Sequence, residues 1–155
     1  MDFRGFTLDE GDGPVLRLER RYDQTVERVW RALTDPAELQ HWFPGELEII
    51  ASEPPHRLLG AWQGEGTLRF ELQPAGDGCA LVFTHAFTDR SQAALAGAGW
   101  DRCFARLDAL LAGHAMSEND SLAAWSDVHD RLATAWNIDP EIGRAIRARF
   151  KPAPS

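Results

Sequence analysis

The sequence predicts an α+β fold: a curved antiparallel sheet of about five strands around one long helix, with extra helices at the C-terminal end. Two observations carry this expectation. Strand-like and helix-like segments are segregated, in the order strand, two helices, four strands and long helix, which argues against the βαβ units of a parallel sheet. The hydrophobic pattern also changes near Ser91, from the alternation of the preceding strands to a long helical stripe.

The first strand is predicted over residues 14–22, PVLRLERRY. Leu16, Leu18 and Tyr22 point one way and Arg17, Glu19 and Arg21 the other, with Arg20 the exception on the apolar side. A helix follows over about residues 25–33, where Val26, Val29, Trp30 and Leu33 form one stripe. Asp35-Pro36-Ala37-Glu38 then joins an N-cap acid, a proline at the first helical position and an early carboxylate, marking a second, short helix that ends near Trp42-Phe43-Pro44.

Residues 47–52 read as a strand with Leu47 and Ile49 on one face, and Glu53-Pro54-Pro55-His56 as a turn, because two prolines do not fit a central strand. Residues 57–63 return as a strand, and Gly64 and Gly66 bracket a tight connection. Residues 67–73 alternate, with Leu68, Phe70 and Leu72 inward; Ala75-Gly76-Asp77-Gly78 is a hairpin turn. In the last strand, residues 79–87, Leu81, Phe83, His85 and Phe87 share a face. Trp100, Cys103, Phe104, Leu107, Leu110 and Leu111 make the stripe of the long helix, which Gly113 ends. A polar linker over residues 114–120 leads to a helix carrying Leu122, Trp125, Val128, Leu132 and Trp136. Asp139-Pro140-Glu141 starts a last one carrying Ile142, Ile146 and Phe150.

A chain of 155 residues with 44% hydrophobic and 26% charged residues has the make-up of one folded domain. The segments expected to be disordered are residues 1–13 and 151–155. The net charge of −8 disfavours nucleic acid and anionic membrane surfaces as partners. The basic group Arg144, Arg147, Arg149 and Lys151 ends a helix that starts with Asp139 and Glu141, the distribution favoured by the helix dipole. Cys79 and Cys103 sit in apolar patterns, as small core residues of a reducing compartment do. No apolar run has the length of a membrane span and the N-terminus lacks signal-peptide features, so the expected location is cytoplasmic.

Several strings resemble the START-like (SRPBCC) superfamily, and within it the branch named after the activator of the heat-shock ATPase. They are Arg20-Arg21-Tyr22-Asp23, VERVWRALTDPAELQHWF over residues 26–43, Glu53-Pro54-Pro55-His56-Arg57-Leu58 with Trp62, CALVFTHAF over residues 79–87, and Gly99-Trp100. The resemblance implies a helix-grip domain over residues 14–113, with residues 114–150 as a C-terminal helical extension packed on it. Members of the branch usually carry an extra strand pair between the Trp-Phe motif and the Pro-Pro segment; here Pro44-Gly45-Glu46 runs almost directly into the next strand.

In a helix grip the apolar faces converge. The expected ligand-lining set is therefore Trp30, Trp62, Phe70, Phe83, His85, Phe104 and Leu107; Trp42, Phe43, Phe87 and Trp100 could line the same pocket, and plain core packing is the alternative for any of these aromatics. His85 is the sharpest polar candidate, either orienting a ligand carbonyl or acting as a base, although an inward histidine is more often hydrogen-bonded at a strand's end. Arg20 would hold a ligand carboxylate or extend its head to solvent. His41, His56, His114 and His129 lack metal-site spacing, and Ser91, Ser117, Ser121 and Ser126 lack a nucleophile elbow. Neither a catalytic constellation nor a cofactor motif emerges, and the sequence sets no oligomeric state. The leading expectation is binding or transport of a small hydrophobic ligand. A protein–protein or co-chaperone-like stress-response module is the first alternative, and a cyclase- or hydrolase-like enzyme using the same cavity the second.

Overall fold

The computed structural model describes residues 5–43, 45–62, 66–114 and 116–148, apart from the side chains of Glu118 and Asn119. The expected Gly64 end of one connection, the stripe residue Phe150, the basic residues Arg149 and Lys151, and the tail 151–155 lie outside the described residues.

Alternating side chains build a six-stranded sheet: β1 (Phe6–Asp9), β2 (Val15–Tyr22), β3 (Glu48–Glu53), β4 (Arg57–Ala61), β5 (Thr67–Ala75) and β6 (Gly78–Ala86). Their spatial order is β1-β2-β6-β5-β4-β3, and each neighbouring pair is antiparallel. The register aligns inward side chains in rows. One row runs Phe6, Leu18, Phe83, Phe70 and Leu58; the next runs Leu8, Leu16, His85, Leu68 and Gly60.

β1 adds a strand to the five read from the sequence, and it corrects the expectation that residues 1–13 are disordered. Its apolar signal is only Phe6 and Leu8, too short for periodicity to separate from a loop. Pairing with β2 supplies what the segment lacks, and Phe6 becomes fully buried.

β3 does not bury the face that Leu47 and Ile49 were expected to share. All six of its residues are exposed, Ile49 and Ile50 included, because β3 is an edge strand that extends past the covering layer. A bulge makes Ile50 an extra residue between Ile49, opposite Gly60, and Ala51, opposite Leu59. Leu47 lies over Gly60, where an added Cβ would come within 2.5 Å of its Cδ1.

The helices are α1 (Val26–Thr34), α2 (Pro36–Leu39), α3 (Ala93–Leu111), α4 (Glu118–Leu122), α5 (Trp125–Ala135) and α6 (Pro140–Ala148), with a 3-10 turn at Arg90–Gln92 before α3. α4 takes up the end of the segment expected as a linker. Three of the starts are capped by a side-chain oxygen in the same way. Thr25 Oγ1 accepts from the Arg28 N–H, Asp35 Oδ1 from Ala37 and Asp139 Oδ1 from Glu141. Glu38 does not close a capping box; it accepts from Arg28 at 2.6 Å and Arg31 at 2.8 Å, tying α2 to α1.

α3 lies on the inward face of the sheet with Trp100, Phe104 and Leu107 buried. α5 packs on the same helix. At Gly97 an added Cβ would sit 2.5 Å from Leu132 Cδ1, so the missing side chain permits the close approach. α6 rests in turn on α5, where the Trp125 and His129 rings stack at 4.8 Å and Arg147 lies over Trp125. Arg90 joins these parts, donating to Glu10 and to the Trp136 carbonyl at the end of α5.

Candidate functional site

Aromatic rings from β5, β6 and α3, and from the segments after α2 and β4, meet between the sheet and α3. Phe83 is in ring contact with Phe70 at 5.0 Å, Trp100 at 4.8 Å and Phe104 at 5.1 Å. Trp42 and Phe43, after α2, cover this group: Trp42 contacts Phe70 and Phe104, and Phe43 contacts Trp62 and Trp100. The Trp42 indole N–H is fixed by donating to the Ala32 carbonyl at 2.9 Å. The interior of the grip is thus occupied by the chain's own side chains, with Phe70, Phe83 and Phe104 almost wholly buried.

The rings form a column that ends at His85. Its imidazole is buried and bordered by Trp62 at 5.8 Å, Phe87 at 5.2 Å and Trp100 at 5.9 Å. Trp62 and Phe87 are only half-buried, so this end of the column reaches the surface. The Trp100 indole N–H donates to His85 Nδ1 at 3.1 Å. An indole N–H can only donate, so Nδ1 must accept and Nε2 carries the proton of the neutral ring. A protonated imidazole would set N–H against N–H. His85 therefore cannot accept a proton at Nδ1 without breaking the bond that positions it, which removes the simplest form of base catalysis.

Five of the seven residues expected to line a ligand site meet here through ring contacts, Trp62, Phe70, Phe83, His85 and Phe104, and Leu107 is buried on α3 in the same core. Trp30 is half-buried on α1 and takes no part in the ring contacts among the described residues.

Arg20 belongs to a second, polar cluster between β2 and α3. It donates to Asp108 at 3.0 Å and faces Asp101 at 3.7 Å. The expected role for Arg20 on a ligand carboxylate, or with its head in solvent, gives way to this pairing with two carboxylates of its own chain. Burial pushes the Asp108 carboxyl above its ordinary range, and neither Arg20 nor Tyr22 fully offsets it. Burial, then the neighbouring Asp108 charge, raises the Tyr22 phenol well above its usual value, so it stays neutral. The two acids were not singled out from the sequence. Their signal was the spacing i, i+7 on α3, which puts Asp101 and Asp108 on the face that also carries Phe104.

Residues 43–112 match the family model of the Activator of Hsp90 ATPase homolog 1-like proteins. Among solved structures, CalU16 from Micromonospora echinospora is 23% identical, with a TM-score of 0.67 over 87% of this chain and 95% of that one. A conserved protein of unknown function from Enterococcus faecalis is 18% identical, with a TM-score of 0.71 over 86% and 92%. A Rhodobacter sphaeroides protein is 23% identical, with a TM-score of 0.56 over 69% of this chain and 97% of that one. No curated protein matches the sequence. The family match takes in the end of the ring-bearing segment after α2 through α3, and these solved structures share the fold of this chain. No helix among the described residues is long and apolar enough to cross a membrane.

Proposed function

We propose that this AHSA-type, START-like domain binds a small, flat, apolar molecule at the His85 end of the ring column. The observation that carries the reading is the pairing of two half-buried aromatics, Trp62 and Phe87, on either side of the buried His85. A flat ligand there exchanges one ring contact for another: it stacks where Trp62 now lies against Trp100, at 5.0 Å, and Trp62 swings outward. Phe83 packs on Trp100 behind it, backed by Phe70 and Phe104. The rings named here are apolar apart from His85, so shape and burial supply the affinity. An enzymatic role is the weaker reading, since His85 is committed at Nδ1 and Arg20 to Asp101 and Asp108.

A second reading, a protein-interaction module, is favoured by one feature: the interior is packed with the domain's own rings, while Ile49 and Ile50 on β3 are exposed. Titration of a fluorescent naphthalene probe against wild type, Trp62→Ala and His85→Ala separates the two. Saturable binding by wild type that Trp62→Ala alters supports the ligand site. No saturable binding by wild type removes it and leaves the interaction module.

A further inference from the structure

We propose that the free edge of β3 takes up an extended basic segment of a partner protein, adding it to the sheet as a seventh strand. The inference does not depend on the ligand site. Among the described residues β3 is bonded on one side only, to β4, and all six of its residues are exposed. Ile49 and Ile50 are 51% and 56% exposed and are the large apolar side chains left open among the described residues. The opposite edge differs: β1 is four residues long and begins at the fully buried Phe6. An unpaired edge carrying apolar side chains is a template for another strand, and strand addition is a recurrent mode of peptide recognition.

Charge identifies the occupant. Glu48 and Glu53 stand at the two ends of β3, and Glu46 precedes it; all three are exposed. If a second copy paired antiparallel about the strand centre, Glu48 would face Glu53 of that copy, and the same clash would recur at the other end. Like charges directly opposite destabilise a strand pair, whereas opposite charges stabilise it. Lysine or arginine at both ends of the incoming segment, with apolar residues between them for Ile49 and Ile50, meets both demands. Arg57 lies 3.8 Å from Glu53, but both side chains are exposed, and so open a pair leaves the carboxylate available. The net charge of −8 steers a basic segment toward the domain. The bulge at Ile50 bends the strand and limits the added pairing to a short stretch.

The test uses the full chain and a dye-labelled synthetic octapeptide alternating valine and lysine, followed by anisotropy and by backbone amide shifts. The expected result is saturable binding at low salt with shifts centred on β3 and β4. Glu48→Lys/Glu53→Lys should weaken binding by about tenfold or more, as loss of two cross-strand charge pairs implies. Asp12→Lys/Asp23→Lys, which changes the net charge equally at other exposed positions, should weaken it far less. Equal losses from the two double variants would reduce the effect to bulk charge and overturn the proposal. So would equal binding of a valine–glutamate peptide, absence of saturable binding, or a wild-type dimer that excludes the peptide. Shifts centred on Trp62 and His85 instead of β3 would overturn it as well, by assigning the peptide to the ring column.

Discussion

Trp100 serves two interactions at once, and they can be separated. Its ring packs on Phe83 at 4.8 Å, and its N–H satisfies the buried His85 Nδ1. Trp100→Ala empties a large aromatic site and should cost about 3–5 kcal/mol. Trp100→Phe keeps most of the ring contact but leaves a buried acceptor without a donor, at about 1–3 kcal/mol. Adding His85→Leu to Trp100→Phe should recover part of that loss, because the Nδ1 acceptor that lost its indole donor is then gone. Urea unfolding of the three variants checks the order; equal losses from Trp100→Ala and Trp100→Phe would show that the ring contacts carry little. Asp108 gives a pH-dependent counterpart. Its carboxyl is raised in the folded state, chiefly by burial, so the fold binds this proton more tightly than the unfolded chain does. Its contribution to stability is then full below the ordinary carboxylate value of about 4 and is lost as pH rises through the higher folded value. Asp108→Asn should flatten the fall in stability between about pH 4 and neutrality. Urea midpoints across that range measure it, and an unchanged slope would contradict the assignment.

The joint between α5 and α6 depends on Gly143. An added Cβ there would stand 2.0 Å from His129 Nε2 and within 3.0 Å of two further ring atoms. The ring cannot yield, being stacked on Trp125 and held at Nδ1 by Asp130 at 3.0 Å. Glycine to alanine inside a helix ordinarily gains about 1 kcal/mol, but here the clash outweighs that preference. Gly143→Ala should therefore speed amide exchange in α6 while leaving the sheet protected; protection of α6 equal to wild type would refute the contact. No residue pattern announces this joint. Ile142 and Ile146 show that α6 has an apolar face, but which glycine meets which ring is a tertiary fact. The same limit explains the edges of the sheet. The alternation in β5 and β6 is long and strict, so the sequence places Leu68, Phe70, Leu72, Leu81, Phe83 and His85 inward, and all are buried. In β1 and β3 burial depends on whether another layer extends that far. Phe6 is covered, and Ile49 is not.

Sheet, long helix and C-terminal helices interlock through α3, which has one face on the ring column and another on α5. Convergence of the rings follows from periodicity, because each apolar stripe has to be buried and the helix-grip order leaves only one place for all of them. The Arg20–Asp101–Asp108 group was hidden because a charged residue on an inward face reads as an exception until its partners are brought beside it. The second face of α3 was less visible still, since Gly97 reads as a weak helix residue and not as a docking point. Its role fixes what removal of the C-terminal helices should do. Leu132 and Trp136 lie against Gly97, Arg102 donates to Ser121 at 2.8 Å, and Arg90 donates to the Trp136 carbonyl. Truncation after Gly113 removes all three contacts and opens an apolar strip along α3, while the contacts of the ring column lie wholly within the retained part. The truncated chain should thus keep its sheet, seen in the far-ultraviolet circular dichroism, yet bind a hydrophobic dye and aggregate as its concentration rises. A truncated chain that stays monomeric with the wild-type unfolding midpoint would show that residues after 113 add nothing to the stability of the grip.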